Sequence, residues 1–428
     1  MRAAKPGIPL SGGPPPAGSG FSPFWIIIAA CLISLLGFGV RSGFGLFLEP
    51  MTASRGWDRE IFALALAVQN LVWGLALLPA GVLADRYGPA PVLAAGAVLY
   101  ALGVWGMMLS GSGLALYLTG GLLTGAGIAF SSFSIALAAI ARVTSPRRRS
   151  LALGLGTAAG SLGQVVFAPL GQGLIAALGW QAALLALALT VLAIIPLAFM
   201  LPAPGNMAAE DGPGTRETPP ETLSLLQAVA AASRHRGFVL LAAGFFVCGF
   251  HVAFIAVHLP AYVSDLGLPD GVGSWALALI GLMNIAGSLL AGAYGQRRSR
   301  KYGLAAIYSA RALAIAALLM APKTGVVILL FAAAMGLLWL STVPLTSGMV
   351  AGFFGTRYMA TLFGMVFLSH QLGSFTGVWL GGRLYDLYGS YDAMWWAGIL
   401  LGVLAALLHL PIDERPAARP AAAVPAGG

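Results

Sequence analysis

Apolar residues run on without alternation along most of the chain and are interrupted at short intervals by Gly, Pro and small groups of charge. The runs cover residues 24–48, 60–84, 90–110, 114–141, 150–178, 180–201, 237–263, 272–295, 304–321, 325–352, 358–382 and 391–411. Strands that are half buried, or that line a membrane barrel, alternate apolar and polar positions, so these continuous runs predict helices. A helix needs about 20 residues to cross the ~30 Å hydrocarbon layer of a bilayer, and each run is close to that length or beyond it. Twelve membrane-spanning helices are therefore expected. Three segments stay outside: a Pro/Gly-rich head (1–22), a polar central loop (202–236) and an Ala/Pro tail (412–428). Between them lie two six-helix units, residues 23–201 and 237–411.

Composition narrows the class further. Charged residues make up 9% of the chain, against about 25% in soluble domains, which excludes a water-soluble fold. A hydrophobic content of 59% excludes a disordered chain. Cys31 and Cys248 both lie inside apolar runs and cannot frame a disulfide scaffold. The net charge of +9 could point to nucleic acid, but the distribution of Lys and Arg gives it another meaning. With both termini in the cytoplasm, 17 basic residues fall on the cytoplasmic side, among them Arg142, Arg147, Arg148 and Arg149 in one loop and Arg297, Arg298, Arg300 and Lys301 in another. Only Arg55, Arg59, Lys323 and Arg383 fall outside, and Arg41 and Arg311 lie within apolar runs. Cytoplasmic loops hold Lys and Arg preferentially, so the imbalance predicts a multi-pass protein of the inner or plasma membrane with cytoplasmic termini. Nucleic acid is not expected as a partner.

The two units resemble each other. Residues 80–89 align with 291–300, placing Arg86 on Arg297, and residues 149–164 align with 359–374, placing Gly154 on Gly364 and Gly163 on Gly373. Two similar halves joined by a long polar loop are a common plan for membrane transporters, with the substrate path between the halves near mid-membrane.

The segment Gly81-Val-Leu-Ala-Asp85-Arg86-Tyr-Gly88, after the second run, resembles the cytoplasmic signature of the major facilitator superfamily. That resemblance implies an all-α membrane fold of twelve helices in two pseudo-symmetric bundles, with a conformational latch at Gly81, Asp85, Arg86 and Gly88. Gln296 replaces the acid in the second copy, so the latch is expected in the first half only. Within the superfamily, residues 41–59 and 147–154 (RRRSLALG) resemble the bacterial monocarboxylate porter group, in which a basic residue late in the first helix and a basic-LAxG entry to the fifth recur.

A charge at membrane depth costs at least about 2.5–3.5 kcal/mol, so each one needs a reason. All 14 acids lie outside the middle of the apolar runs. Arg41, flanked by Gly37, Gly39, Gly43 and Gly45, thus has no buried acid to pair with, and a substrate carboxylate could take both arms of its guanidinium. The alternative is an Arg that snorkels to the outer interface or pairs with Glu49. Arg311, two turns into the ninth run, reads instead as snorkelling or bonded to backbone carbonyls. His251 and His370 lie near the middle of their runs and either carry or sense a proton or form neutral hydrogen bonds between helices. His258 and His409 are expected at the interfaces. Gln69, Asn70, Gln164 and Asn284 are either interhelical ties or cavity residues, and Trp339 either caps an apolar substrate tail or packs. Gly pairs four apart read as helix packing, and no nucleotide fingerprint, zinc motif or Ser-His-Asp order can be placed.

These residues predict a secondary transporter, not an enzyme, needing no cofactor and no metal. It would work as a monomer, move a small organic anion, a monocarboxylate first among the candidates, by alternating access, and take protons as the coupling ion. Efflux of drug-like or uncharged compounds is the competing transport reading, and a non-transporting membrane sensor the competing class.

Overall fold

The computed structural model describes residues 21–144, 146–202, 225–355 and 358–416. The head (1–20), most of the central loop (203–224) and the end of the tail (417–428) lie outside the described residues. The described chain forms twelve long helices. In the first half they are α1 (Pro23–Arg55), α2 (Arg59–Tyr87), α3 (Pro89–Leu109) and α4 (113–143), followed by α5 and α6. These last two are the arms of one helical stretch, Pro146–Val191, broken at Gly179, whose φ of 80° and ψ of 163° lie in a region that suits Gly. The second half holds α7 (Arg236–Asp265), α8 (Asp270–Arg297), α9 (Arg300–Met320), α10 (Gly325–Phe354), α11 (Met359–Tyr388) and α12 (Asp392–His409). One element was not expected: a short helix, Leu225–Arg234, runs through the end of the segment read as a polar loop and leads into α7.

The repeat seen in the sequence has a packing counterpart. A Cβ at Gly163 on α5 would collide with the Leu35 carbonyl of α1, and a Cβ at Gly373 on α11 would collide with the Phe246 carbonyl of α7. Each Gly lets two helices of one half approach closely at the same relative place, as packing in lipid favours. The helix breaks repeat as well. α4 breaks at Ser131–Ser132 and α10 at Ser341, positions 210 residues apart. Broken helices leave backbone groups without partners, and side chains take them up here. Ser131 donates to the Gly127 carbonyl at 2.6 Å, and Arg311 donates to the carbonyls of Leu338 and Trp339.

The halves meet along two seams, α2 on α11 and α5 on α8. At the end of the bundle opposite the termini they are tied by charge. The Arg59 guanidinium makes two 2.7 Å hydrogen bonds to the Asp265 carboxylate, donates to the Tyr391 hydroxyl at 2.9 Å and lies 3.8 Å from the Tyr385 ring centroid. Asp386 of α11 accepts from the backbone N–H groups of Arg59 and Glu60, so it serves the exposed donors at the start of α2. Glu60 in turn accepts from Trp379 and Arg383. At the other end, Gly88 sits at φ 92° and allows the sharp turn from α2 into α3. Arg86 there lies 5.2 Å from the Tyr87 ring centroid, and Asp85 is exposed. The tail is fastened to the start of α9: Glu414 accepts from the Ser299 hydroxyl at 2.5 Å and from the Lys301 N–H at 2.9 Å. Partial burial raises the Glu414 pKa, but these hydrogen bonds outweigh it and hold the carboxyl below its ordinary value.

Candidate substrate site

Arg41 lies late in the apolar part of α1, where the helix tightens into a short 3₁₀ turn, Phe44–Phe47. Its Nη2 donates to Asn70 Oδ1 on α2 at 2.7 Å. One turn further along α2, Trp73 lies on the same face, and the guanidinium carbon sits 4.6 Å from the centroid of its indole ring. Phe38 contributes a second ring at 5.8 Å. A cation over aromatic faces keeps favourable electrostatics without a counter-ion. Two donors in this corner are buried without an acceptor, Arg41 Nε and Trp73 Nε1. Among the described residues no carboxylate pairs with Arg41. Gly37, Phe38, Arg41, Trp73, Ile128 and the α4 break at Ser131–Phe133 enclose a cavity of about 10 Å³, room for about one water. An acceptor-rich, negatively charged group would satisfy what this corner leaves open.

Asn70 also links the corner to the other half. Its side-chain amide donates to the Leu66 carbonyl at 2.8 Å, and its backbone carbonyl accepts from Gln371 Nε2 of α11 at 2.7 Å. Gly74 makes space for that contact, since a Cβ there would stand 2.7 Å from Gln371 Cγ. Gln371 Oε1 lies 3.0 Å from His370 Nδ1, so two amides span the distance between Arg41 and His370. Trp73 packs edge-on against Phe367 at 5.4 Å, and His370 stacks on the same Phe367 ring at 5.6 Å.

The remaining expected site residues are placed elsewhere. His251 bonds through Nε2 to the Gly398 carbonyl of α12 at 2.8 Å and is turned away from the seam between the halves; the structure does not bring it to Arg41. Gln69 donates to the Gly120 carbonyl at 2.9 Å, where α4 widens into a π-helical turn, Tyr117–Leu123. Gln164 donates to the Leu277 carbonyl at 2.9 Å, and Asn284 bonds Ser161 at 3.0 Å while accepting from the Leu340 N–H at 3.0 Å. Gln69 is thus a tie within the first half, and Gln164 and Asn284 tie α5 to α8 across the second seam. Trp339 is 3% exposed, at the α10 break. Arg311 is fully buried and bonded to backbone carbonyls, one of the two alternatives its sequence position left. His258 and His409 lie toward helix ends as expected, but both are buried, against Tyr391 and Tyr308 respectively. Sequence reasoning missed Trp73 and gave Gln371 no role. The three-residue spacing from Asn70 was the available signal for Trp73, and adjacency to His370 for Gln371.

Twelve apolar helices in two repeated halves, with a polar corner in the first half joined to the second through Gln371, define a membrane transporter of two-bundle design. The family model of the Major Facilitator Superfamily matches residues 30–377 and 241–427, and the chain belongs to that superfamily. It is 30% identical over 427 residues to monocarboxylate transporter 13 of Bos taurus, covering 95% of this chain and 93% of the relative. It is 31% identical over 405 residues to monocarboxylate transporter 11 of Homo sapiens, covering 90% and 81%. Among solved structures, the unoccupied inward-facing form of a bacterial homologue of the human lysosomal transporter Spinster superposes with a TM-score of 0.72 at 14% identity, over 90% of this chain and 96% of that one. The xylose transporter XylE of E. coli superposes with 0.66 at 16% identity, over 91% and 96%.

Proposed function

We propose that this transporter carries a small organic anion, a monocarboxylate, together with a proton, by alternating access between its two halves. The Arg41 corner carries the reading: a guanidinium at membrane depth, one arm on a neutral amide, with its Nε and the Trp73 N–H buried and unpaired. A carboxylate supplies the negative charge and the acceptor oxygens that these donors lack, through short charge-assisted bonds. A neutral or cationic substrate would leave the guanidinium uncompensated. The names of the relatives point the same way.

The cavity is too small for such a substrate in this arrangement, so entry requires Asn70 to yield its bond or the halves to part. With cytoplasmic termini, as the Lys and Arg distribution favours, the Arg59–Asp265 tie closes the outer end and the substrate enters or leaves from the cytoplasm. The site lies within one chain, which suits a monomer in the inner or plasma membrane. A proton moving with the anion makes the load neutral and removes the cost of carrying net charge across the bilayer.

Uptake into proteoliposomes tests this directly. Labelled lactate and pyruvate are expected to accumulate when the side from which they enter is made acidic, with uncharged analogues neither carried nor competing. Accumulation of neutral or cationic compounds in place of the acids would refute the reading.

A further inference from the structure

His370 sits in a network that decides which of its ring nitrogens carries hydrogen. The Asn70 backbone carbonyl can only accept, so the amide end of Gln371 that meets it at 2.7 Å must be the NH₂ group. The other end of the same amide, Oε1, is then the atom that lies 3.0 Å from His370 Nδ1. An amide oxygen cannot donate, so Nδ1 must bear the hydrogen. Ser374 is compatible with the same assignment. Its hydroxyl donates to the Gly249 carbonyl at 3.3 Å, which leaves its oxygen as an acceptor 3.4 Å from the same Nδ1. The neutral ring therefore holds its lone pair on Nε2.

We propose that Gln371 is the positioning residue that makes Nε2 of His370 the atom that takes up the coupling proton. This rests on the proton-coupled reading above. Binding one proton there takes the ring from neutral to a single positive charge, equal and opposite to the carboxylate that Arg41 receives. The surroundings suit that charge: the ring stacks on Phe367 with an interplanar angle of 6° and lies 4.9 Å from the Phe245 ring. Nδ1–H keeps two acceptors, Gln371 and Ser374, in both protonation states.

The groups that face His370 come from several helices. α7 presents the Cys248 thiol, which bonds Thr342 of α10 at 3.2 Å and has Arg311 of α9 behind it. α2 presents the neutral Asn70 and Trp73, with Arg41 of α1 behind Asn70. His251, on α7, is turned to α12. The Cys248 thiol also lies within hydrogen-bonding reach of the ring, so Gln371, Ser374 and Cys248 are the polar side chains that meet it. The chain of bonds also gives protonation a route to Arg41. A firmer Nδ1–H bond draws on the Gln371 amide, whose other end holds the helix turn that presents Asn70 to Arg41.

Two substitutions at one position separate positioning from mere packing. Gln371→Leu and Gln371→Glu both lose the bond to the Asn70 carbonyl, but they change the partner of Nδ1–H in opposite senses. The pH midpoint of acid-driven lactate uptake is expected to move to lower pH in Gln371→Leu and to higher pH, by about one unit or more, in Gln371→Glu. Equal midpoints in the two variants would overturn the proposal even if both transport slowly. A second readout does not depend on the substrate. In the full-length protein with ¹⁵N-labelled histidine, assigned with His370→Gln, the ring nitrogen shifts at high pH should show hydrogen on Nδ1 and the lone pair on Nε2. The opposite tautomer would overturn the proposal whatever the protein carries, and absence of lactate uptake with the expected tautomer would count against the substrate reading alone.

Discussion

The guanidinium of Arg41 lies over the indole of Trp73, 4.6 Å from charge centre to ring centroid, and each carries a buried N–H with no acceptor. Under the anion reading proposed above, the pairing gives Trp73 a binding role of its own beyond that of a wall. Trp73→Phe keeps the aromatic face and removes the donor. One hydrogen bond is worth about 1 kcal/mol, so KM for the anion should rise roughly fivefold with the maximal rate retained. Trp73→Ala also loses the cation–π contact and should raise KM further. Initial-rate uptake across substrate concentrations checks both, and an unchanged KM in Trp73→Phe would remove the indole N–H from the site.

At the far end of the bundle, Asp265→Asn removes the charge from the paired bonds to Arg59. Arg59 and Asp265 are 12% and 27% exposed, so the pair is only partly screened. A loss of about 1–2 kcal/mol would raise the population open at that end roughly 5- to 30-fold. With Cys31 and Cys248 replaced, a cysteine placed at Ser132 in the Arg41 cavity should react correspondingly faster with an impermeant maleimide applied from that side. Labelling at the unaltered rate would show that the tie does not hold the halves together.

Arg311 and Arg41 are both arginines at membrane depth, and they should respond to substitution in different ways. Arg311→Met leaves the Leu338 and Trp339 carbonyls of the α10 break without donors. Unmet buried acceptors cost about 1–3 kcal/mol each, so the protein should melt at a clearly lower temperature. Arg311→Lys should rescue little, because a single ammonium cannot reproduce the planar fork. Thermal unfolding followed by size-exclusion chromatography reads this, and an unaltered melting temperature would contradict it.

The fold was written plainly in the sequence because lipid demands long uninterrupted apolar helices, and the repeat was legible because close helix contacts need Gly at fixed places such as Gly163 and Gly373. The direction in which each polar side chain faces was much less legible. A helix that is apolar on every side gives no periodic cue to its inner face. His251 and His370 therefore looked equivalent, although one is turned to α12 and the other meets the seam. Gln69 and Asn70 are adjacent in sequence, yet they serve α4 and Arg41 respectively. Arg41 stood out because the sequence contained no acid at its depth. Trp73 did not, because an aromatic residue within an apolar run carries no sign that its N–H lacks a partner.

Uptake of labelled lactate by Arg41→Gln, set beside wild type in the same proteoliposomes, tests most directly whether the unpaired guanidinium is the anion site. Its protein partners are one neutral amide and two rings, so the variant should fold and melt as wild type does. Loss of a charge-assisted bond worth about 1.5–3 kcal/mol should reduce uptake at low substrate concentration by roughly 10- to 150-fold. Uptake equal to wild type in a correctly folded Arg41→Gln protein would contradict the assignment.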